Sequence, residues 1–373
     1  MFAGKTKDAG RRSIQFRLRG DGSIFADRDA LLAESEQLRG EAQTVFAFLI
    51  ENGASYVRDI EMGTGLSFLQ LQAALGELAD KGLVSCENYE TFLMVLQSAY
   101  NKGPANTRMV KKTRQHLLKK VPQRAMGSAI RKMVQEQTRI RDGRWFLTTS
   151  FAVMGKLLST PERTVAQARL LLQRYGILVK EFYRREFGLL PWYTIFQCLK
   201  RLEWQGEIRR GYFVEGLSGV QFALPEALDL LEKIHNEQLS TGDQPVLLSS
   251  LDPALPYGGM VDWELTDTTG DPLKIIRSPS NHLAFLDGRP VLYAENFFQR
   301  LSSIADMQDN DFAITARLFG DWLKLPSLLR PKNRIEISQI DHQGAATHKL
   351  VKQFLKLGYE KEGDRLTLWP SAV

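Results

Sequence analysis

One internal repeat constrains this chain more than any single motif does, because a repeat fixes the architecture of the whole molecule. An apolar stripe that ends in a glycine occurs twice with the same internal spacing. The matching positions are Leu71, Leu75, Leu78 and Gly82 in the first copy, and Ile195, Leu199, Leu202 and Gly206 in the second. Each copy follows a predicted short helix and precedes a β-prone stretch.

Each copy predicts a winged helix, which is a helix-turn-helix followed by a β-hairpin. Apolar residues at steps of three and four form one buried helix face. In the first copy the hydroxyl of Ser67 is well placed to cap the long helix. In the second copy Pro191 opens the long helix, and residues 208–214 and 220–224 form the hairpin. The expected fold class is α+β, with tandem winged-helix domains followed by a small β-barrel-like module.

Five segments are expected along the 373 residues. They are an N-terminal arm (1–37), winged-helix domain 1 (38–97), a basic linker (98–142), winged-helix domain 2 (143–240) and a β-barrel-like module with a C-terminal helix (241–373). A hairpin is possible at Asp21-Gly22. The second repeat is expected to start at Gly143. Short β-rich pieces between turn signals after Pro245 are the basis for the barrel.

The positive charge of the chain is concentrated in the linker. The net charge is +6, whereas residues 101–142 contain twelve Lys or Arg and only two acids. Such a concentrated patch suits a polyanion better than a soluble metabolite. A solvated connector is the alternative interpretation. The linker residues expected to bind nucleic acid are Lys111, Lys112, Arg114, Lys119 and Lys120.

The exposed faces of the two long helices differ in chemistry. The second helix turns hydroxyl, amide and cationic groups outward, and such groups bond phosphates and base edges. These residues are Thr194, Gln197, Lys200 and Arg201. The first helix instead offers Gln70, Ala73, Gly76 and Glu77, with Asp80 beyond, so a protein contact is expected there. Ordinary solvated polar residues are the alternative for the second face.

Arginine and aromatic residues meet at the predicted second wing. Arg209 and Arg210 are candidates for phosphate contacts, and Tyr212 for stacking on an unpaired base. Side chains alternate along a strand, so Arg209 and Gly211 share one face while Arg210 and Tyr212 share the other. Only one arginine is therefore expected to reach a ligand, and Phe213 is expected in the core. A purely structural role for Arg210 and Tyr212 is equally compatible with this pattern.

No catalytic constellation stands out. Two cysteines and five scattered histidines give no metal-binding spacing. The run Gly4-Lys5-Thr6 lacks the upstream glycine of a phosphate-binding loop, so no ATP hydrolysis by this chain alone is expected. Asp252 and Asp262 are possible general bases, but no second group pairs with either of them. The catalytic residues, if any, stay unknown.

The sequence predicts a cytoplasmic protein that does not enter a membrane. No apolar run approaches the ~20 residues that a bilayer requires. The N-terminus lacks the features of a secretory signal. Cys86 and Cys198 fall within predicted core elements and are expected to be buried thiols in a reducing compartment.

Separated motifs resemble the C-terminal half of large helicase-related (Lhr) proteins. In family order they are Gly143–Trp145, Leu171–Gly176, Glu203–Val214 with Gln221–Pro225, and Leu251–Gly258. The last of these is similar to the family's Asp-Pro-x-x-Pro-Tyr-Gly turn. Asn52–Ser55 and the winged-helix pattern that follows also fit, so the resemblance covers roughly residues 40–300.

The resemblance implies a DNA-binding accessory region of an ATP-dependent DNA repair helicase. Lhr-type helicases carry two RecA-like motor domains, whose complete phosphate-binding loop and Asp-Glu-x-His box are missing here. ATP and Mg²⁺ would therefore act only through a separate motor domain, in cis or in trans, and no cofactor is expected in this chain. The expected partners are single-stranded, forked or damaged duplex DNA and the helicase motor.

Two alternatives remain open, and with them the question of whether this chain is itself an enzyme. The first is a metal-independent DNA glycosylase that acts on a damaged or deaminated base. The glycosylase family that resembles this array has a Gln-x-Gln or Gln-x-Asp signature, whereas this sequence reads Gln221-Phe222-Ala223. The second alternative is a transcription regulator with several winged helices.

Overall fold

The computed structural model describes residues 2–5, 12–101, 142–236, 244–259, 261, 263–305, 309–326 and 332–372. The chain divides into two compact units. Unit 1 comprises Met1–Leu171 and Glu186–Arg201, and unit 2 comprises Leu172–Arg185 and Leu202–Val373.

The N-terminal arm of unit 1 contains an antiparallel hairpin and two helices. Its elements are β1 (Phe2–Lys5), β2 (Arg12–Gln15), α1 (Gly22–Phe25) and α2 (Arg28–Glu36). The hairpin expected at Asp21-Gly22 is wrong, because Gly22 begins a helix and the hairpin lies upstream. A Cβ at Gly22 would lie 2.7 Å from the carbonyl oxygen of Val153, so the arm approaches its neighbour at this glycine.

The first repeat folds into three helices and a small sheet. Its elements are α3 (Gly40–Asn52), β3 (Ser55–Tyr56), α4 (Val57–Thr64), α5 (Phe68–Asp80), β4 (Val84–Cys86), α6 (Tyr89–Asn101) and β5 (Arg144–Leu147). The strands lie in the order β3-β5-β4, and all pairs are antiparallel.

Strand β5 corrects the expected start of the second repeat. Gly143 and the residues after it were expected to open that repeat, yet Trp145 lies opposite both Ser55 and Cys86. The reason is burial: the Trp145 side chain is fully buried in the hydrophobic core that α3, α4 and α5 share. The third strand of the first repeat thus follows the linker in sequence.

The second repeat has the same helix-strand-helix-helix-strand order as the first, but its last two strands follow each other, whereas α6 lies between β4 and β5. It contains α8 (Thr160–Tyr175), β6 (Ile177–Leu178), α9 (Lys180–Tyr183), α10 (Trp192–Trp204), β7 (Arg209–Gly211) and β8 (Gln221–Ala223), and it is preceded by α7 (Phe151–Met154) and followed by α11 (Pro225–His235). Its strands lie in the order β6-β8-β7, which matches the order in the first repeat. The repeat seen in the sequence therefore extends to the strand order.

The repeated glycine ends the long helix of each copy. Gly82 and Gly206 have φ of 74° and 78°, in the left-handed region. The amide of Glu207 donates to Leu202 O at 3.0 Å and that of Gly206 to Glu203 O at 2.9 Å, while Leu83 and Gly82 make the same bonds to Leu78 and Ala79. This is the Schellman end of a helix, which favours glycine at this position.

A buried amide fixes the segment that leads into α10 within unit 1. The side chain of Gln167, in α8, is fully buried. It donates to Ile24 O at 2.6 Å and to Gly188 O at 3.2 Å, and it accepts from the amide of Leu190 at 2.8 Å. These three bonds set the position of the chain just before Pro191, where the long helix begins.

The remainder of unit 2 is a layered α/β arrangement. Its strands are β9 (Pro245–Ser249), β10 (Leu265–Thr266), β11 (Pro272–Leu273), β12 (His282–Leu286), β13 (Arg289–Glu295), β14 (Arg300–Ser303), β15 (Ile335–Ile337), β16 (Gln339–Ile340), β17 (Gln343–Gly344), β18 (Glu360–Glu362) and β19 (Arg365–Leu368), and its helices are α12 (Asp309–Lys324) and α13 (Val351–Lys356). Short 3₁₀ turns occupy Ala345–Thr347 and Pro370–Ala372.

The expected β-barrel is wrong, because these strands form open sheets. One sheet has the order β17-β16-β14-β13-β12-β9, a second has β15-β19-β18, and β10 pairs with β11. In the part of the chain that the structure describes, no sheet closes on itself. We call the whole of residues 245–372 the sheet module.

Helix α12 explains why the large sheet stays open. Its buried Phe312, Phe319 and Leu323 share a core with Ala284 and Leu286 on one face of the sheet. Residues of the opposite face, such as Leu283 and Tyr293, belong to a second core with Leu255 and Ile275. Because both faces are covered by other elements, burial does not require the sheet to close.

Candidate nucleic-acid interface

Helix α10 keeps its apolar stripe inside and presents polar groups on the other side. Ile195, Leu199 and Leu202 are buried, as the repeat predicted. Of the polar candidates, Arg201 is exposed, and Thr194, Gln197 and Lys200 are partly exposed. The cationic groups are therefore accessible to a ligand. Arg201 lies in the last turn, where the helix dipole also favours a positive charge.

Two exposed aromatic residues on α10 were missed by sequence reasoning. Tyr193 is 73% exposed and Trp204 is 80% exposed. With Gln197, Lys200 and Arg201 they occur at steps that place all five on one helix face. The exposure of both residues could have been predicted from the sequence, since an aromatic residue outside the buried stripe of an amphipathic helix must point to solvent.

The wing presents one arginine openly and holds the other in an ion pair. Arg209 and Arg210 are both exposed on β7. The Nε atom of Arg210 lies 3.0 Å from a carboxylate oxygen of Glu203, in the last turn of α10. Tyr212, just beyond the strand, is 80% exposed. The expectation that one arginine is available to a ligand therefore fits Arg209 better than Arg210.

A buried glutamine organises the chain beyond β7. The Gln221 side chain is fully buried. Its Oε1 accepts from the amides of Phe213 and Val214 at 2.8 and 2.9 Å, and its Nε2 donates to Val214 O at 2.7 Å. The partly buried ring of Phe213 lies over Gly211, where a Cβ would be only 2.7 Å from Cζ. These contacts fix the backbone on which Tyr212 is displayed.

Within unit 2 the loop between β7 and β8 lies against the sheet module. A Cβ at Gly216 would lie 3.0 Å from Nε1 of Trp263, whose ring meets Tyr257 edge-on at 5.9 Å. Burial raises the pKa of the Tyr257 hydroxyl, which therefore stays protonated at neutral pH. Two residues further along this loop, the Ser218 hydroxyl donates to the carboxylate of Glu181. The middle of the loop is thus held by contacts with two different parts of unit 2.

The corresponding face of the first repeat is partly covered. Gln70, Ala73 and Glu77 of α5 are exposed, as expected, but Gly76 is buried. Strand β1 contacts α5 in the same unit. The expectation that Gly76 points outward is therefore wrong. The chain's own N-terminal hairpin occupies part of the helix that corresponds to α10.

The Asp252 side chain fixes a turn. Its Oδ1 accepts from the amide of Ala254 at 2.8 Å. Arg277 Nη2 lies 3.0 Å from Leu251 O and 3.4 Å from Asp252 O, so it fixes the same turn from outside. The remaining candidates, Asp262 and the linker residues Lys111, Lys112, Arg114, Lys119 and Lys120, lie outside the described residues.

The described ranges contain neither a metal-ion cluster nor a membrane-spanning helix. No group of three or more His, Cys, Asp or Glu side chains in those ranges has the geometry to hold a metal ion. Within the same ranges, no helix is both long enough and apolar enough to cross a bilayer. Cys86 and Cys198 are buried and not joined in a disulfide, as the sequence predicted.

Comparison with known proteins places this fold in a defined class. Residues 158–242 match the family model described as "Large helicase-related protein, winged-helix domain". The chain is 29% identical over 302 residues to a Mycolicibacterium smegmatis protein named "Lhr helicase/ probable uracil glycosylase", covering 77% of this chain and 18% of that protein. It is 28% identical over 241 residues to the Escherichia coli "Lhr helicase/uracil glycosylase", covering 62% of this chain and 15% of that protein.

These matches define a mixed α+β protein with a winged-helix domain in its second repeat. The chain spans less than a fifth of the length of either curated relative. Together the family match and the relatives support the assignment of this chain as a C-terminal region of the Lhr family. The family resemblance stated from the sequence is confirmed.

Proposed function

We propose that this chain is the DNA-binding accessory region of an Lhr-type helicase involved in DNA repair, and that it lacks a motor of its own. The observation that carries the proposal is the accessible face of α10, where Arg201 and Lys200 stand beside Gln197 in a winged-helix domain of this family. Such groups bond phosphate oxygens and base edges. Two buried cysteines without a disulfide fit a reducing cytoplasm.

The two repeats have different tasks in this proposal. The strand order that the first repeat shares with the second supports a winged helix there as well. The second repeat binds DNA through α10 and the wing. The first repeat has acidic Glu77 on its exposed face, and β1 contacts its long helix. It therefore contacts protein, such as the motor domains in cis or in trans.

Binding by this surface is mainly electrostatic. If Lys200, Arg201 and Arg209 each neutralise one phosphate, three counterions are released. For duplex DNA a rise from 50 to 200 mM salt then weakens binding roughly 40-fold, and for single strands roughly 20-fold. Linker residues that also contact the backbone make the dependence steeper. Selectivity for base sequence is weak, because phosphate contacts carry no sequence information.

The test is the affinity of the full chain for a labelled DNA fork, measured by fluorescence anisotropy at several salt concentrations. The expected result is a dissociation constant that rises steeply with salt and varies little between fork sequences. A dissociation constant that does not change with salt refutes the electrostatic interface.

A DNA glycosylase that acts on a damaged or deaminated base is the second candidate, and one observation favours it. Glu181 accepts from Ser218 at the wing loop, and its Oε2 is shielded from solvent with no hydrogen-bond partner among the described residues. A shielded carboxylate of this kind is suited to activate water. Both relatives also carry uracil glycosylase in their names.

Incubation with uracil-containing DNA, followed by alkaline cleavage, tests this second candidate. Strand cleavage by the natural chain that is lost in Glu181→Gln, and retained in the exposed wing variant Glu215→Gln, supports it. If the natural chain forms no abasic product, the glycosylase proposal is removed and DNA binding by α10 is unaffected.

A further inference from the structure

The side chains of Trp204 and Tyr212 are unusually exposed to solvent. Both belong to unit 2 and each is 80% exposed. Aromatic residues of this size commonly reside in cores, and Tyr and Trp are enriched at interfaces. In sequence Trp204 follows Glu203, and Tyr212 lies two residues after Arg210; the ion pair between Glu203 and Arg210 joins the end of α10 to strand β7.

The backbone beneath both rings is fixed by specific bonds. The Schellman end at Gly206 and Glu207 follows Trp204 directly. On the other side, Gln221 bonds the amides of Phe213 and Val214, next to Tyr212. Little backbone entropy is therefore lost when a ligand stacks on these rings, which favours binding.

The charge around the rings indicates what they bind. The exposed Arg209 lies between them in sequence, and the nearby carboxylate of Glu203 is engaged by Arg210. An apolar protein partner gains nothing from this cation, whereas a nucleic-acid strand offers a phosphate to the cation and flat bases to the rings. In a duplex the faces of the bases are already stacked on each other.

We propose that Trp204 and Tyr212 stack on unpaired bases of single-stranded DNA, with Arg209 holding an adjoining phosphate. This site rests on the proposed function and narrows it to DNA with a single-stranded part. Stacking tolerates every base, because every base has a π-face. The site therefore prefers unpaired over paired DNA and has little sequence preference.

The expected effect of Trp204→Ala follows from the strength of base stacking. Base–aromatic stacking contributes about 1–3 kcal/mol per base, which corresponds to a loss of affinity of roughly 5- to 150-fold. Trp204→Phe keeps a ring and should lose less. Phe151→Ala is the matched control, since Phe151 is an 81% exposed aromatic residue on the short helix α7.

The experiment compares three ligands of equal length by fluorescence anisotropy. They are a labelled thymidine oligonucleotide, a strand of abasic deoxyribose phosphates, and a blunt duplex. Trp204→Ala and Tyr212→Ala should each weaken binding of the thymidine strand at least fivefold. Neither should change the affinity for the abasic strand or the duplex by more than about twofold, because those ligands offer no free base to stack.

The proposal is overturned if Trp204→Ala binds the thymidine strand as tightly as the natural chain does. It is also overturned if all three ligands lose affinity equally, since the rings then act on the backbone or on the fold. In either case salt-dependent fork binding by the natural chain still supports the proposed function. Absence of fork binding by the natural chain overturns both proposals.

Discussion

Replacing Gln221 by methionine should loosen the wing without removing any group that touches DNA. Methionine has a similar length and fills the same buried space, but it cannot replace the hydrogen bonds to Phe213 and Val214. Two amides and one carbonyl lose their partner. A buried polar group without a partner costs about 1–3 kcal/mol. Since Phe213 and Val214 are only partly buried, water replaces some of these bonds.

We therefore expect Gln221→Met to lower the free energy of unfolding of unit 2 by about 2–4 kcal/mol in total. For a unit of this size that corresponds to a fall in Tm of about 5–15 °C, measured by calorimetry. Hydrogen exchange at the amides of Phe213 and Val214 should accelerate at the same time. The control is Gln205→Met, at an exposed position, which should stay within about 0.5 kcal/mol of the natural chain.

The reasoning is refuted if Gln221→Met unfolds within 1–2 °C of the natural chain, roughly the resolution of such a scan, and keeps its slow exchange at Phe213. That result means that the three bonds contribute nothing to holding the wing. Affinity for single-stranded DNA supplies a second readout. It should fall in Gln221→Met even though no contact group is lost, because Tyr212 is no longer held in place.

Three further changes have definite expected outcomes. Gly211→Ala places a Cβ 2.7 Å from the ring of Phe213, so it should destabilise unit 2 by about 1–3 kcal/mol in urea unfolding, and an unchanged midpoint contradicts the close approach. Gly206→Ala forces alanine to a φ of 78° and should cost about 1–2 kcal/mol, whereas Gly206→Asn should lose less because asparagine tolerates this region, and an equal loss in both variants would show that φ is not the cause. Burial lowers the pKa of His282 and of His348 below the ordinary value, so the unfolded chain takes up protons more readily than the folded chain does. The stability of unit 2 should therefore fall as the pH drops below about 6.5, by at most about 1.4 kcal/mol per pH unit for each histidine. A urea midpoint that is constant between about pH 7.5 and 5.5 contradicts this.

Most of the helical fold could be predicted from the repeat, because the repeat reflects interactions between residues that are close in sequence. Steps of three and four place Leu71, Leu75 and Leu78 on one face, and a glycine can adopt the positive φ that ends a helix. Both features depend on neighbours in sequence. Strand β5 shows the limit of this reasoning. Its place opposite Ser55 and Cys86 follows from the burial of Trp145, which depends on residues far away in sequence.

The sheet module shows the same limit at larger scale. The positions of β12, β13 and α12 followed from alternation and helical periodicity. Whether the strands would close into a barrel depended on what covers their faces. Phe312 and Phe319 of α12 cover one face, and the sequences of the strands themselves do not predict this cover. Open sheets and closed barrels use the same alternating strands.

Candidate site residues could be predicted only where one helix face decides the outcome. The exposure of Arg201 follows from periodicity alone, and so does that of Trp204. The role of Gln221 could not be predicted, since its three bonds depend on how the chain turns beyond β7. The same is true of Gly76, whose burial in α5 accompanies contact with a strand far upstream.

The salt dependence of fork binding in a double variant tests the central claim most directly. Lys200→Gln with Arg201→Gln removes two cations from α10, and Lys352→Gln with Lys361→Gln removes two exposed cations from the sheet module as the charge-matched control. If α10 binds the DNA backbone, the first variant should reduce the slope of log K against log salt by about 1.4–1.8, and the control should leave it unchanged. Equal slopes in the two double variants contradict a DNA interface on α10.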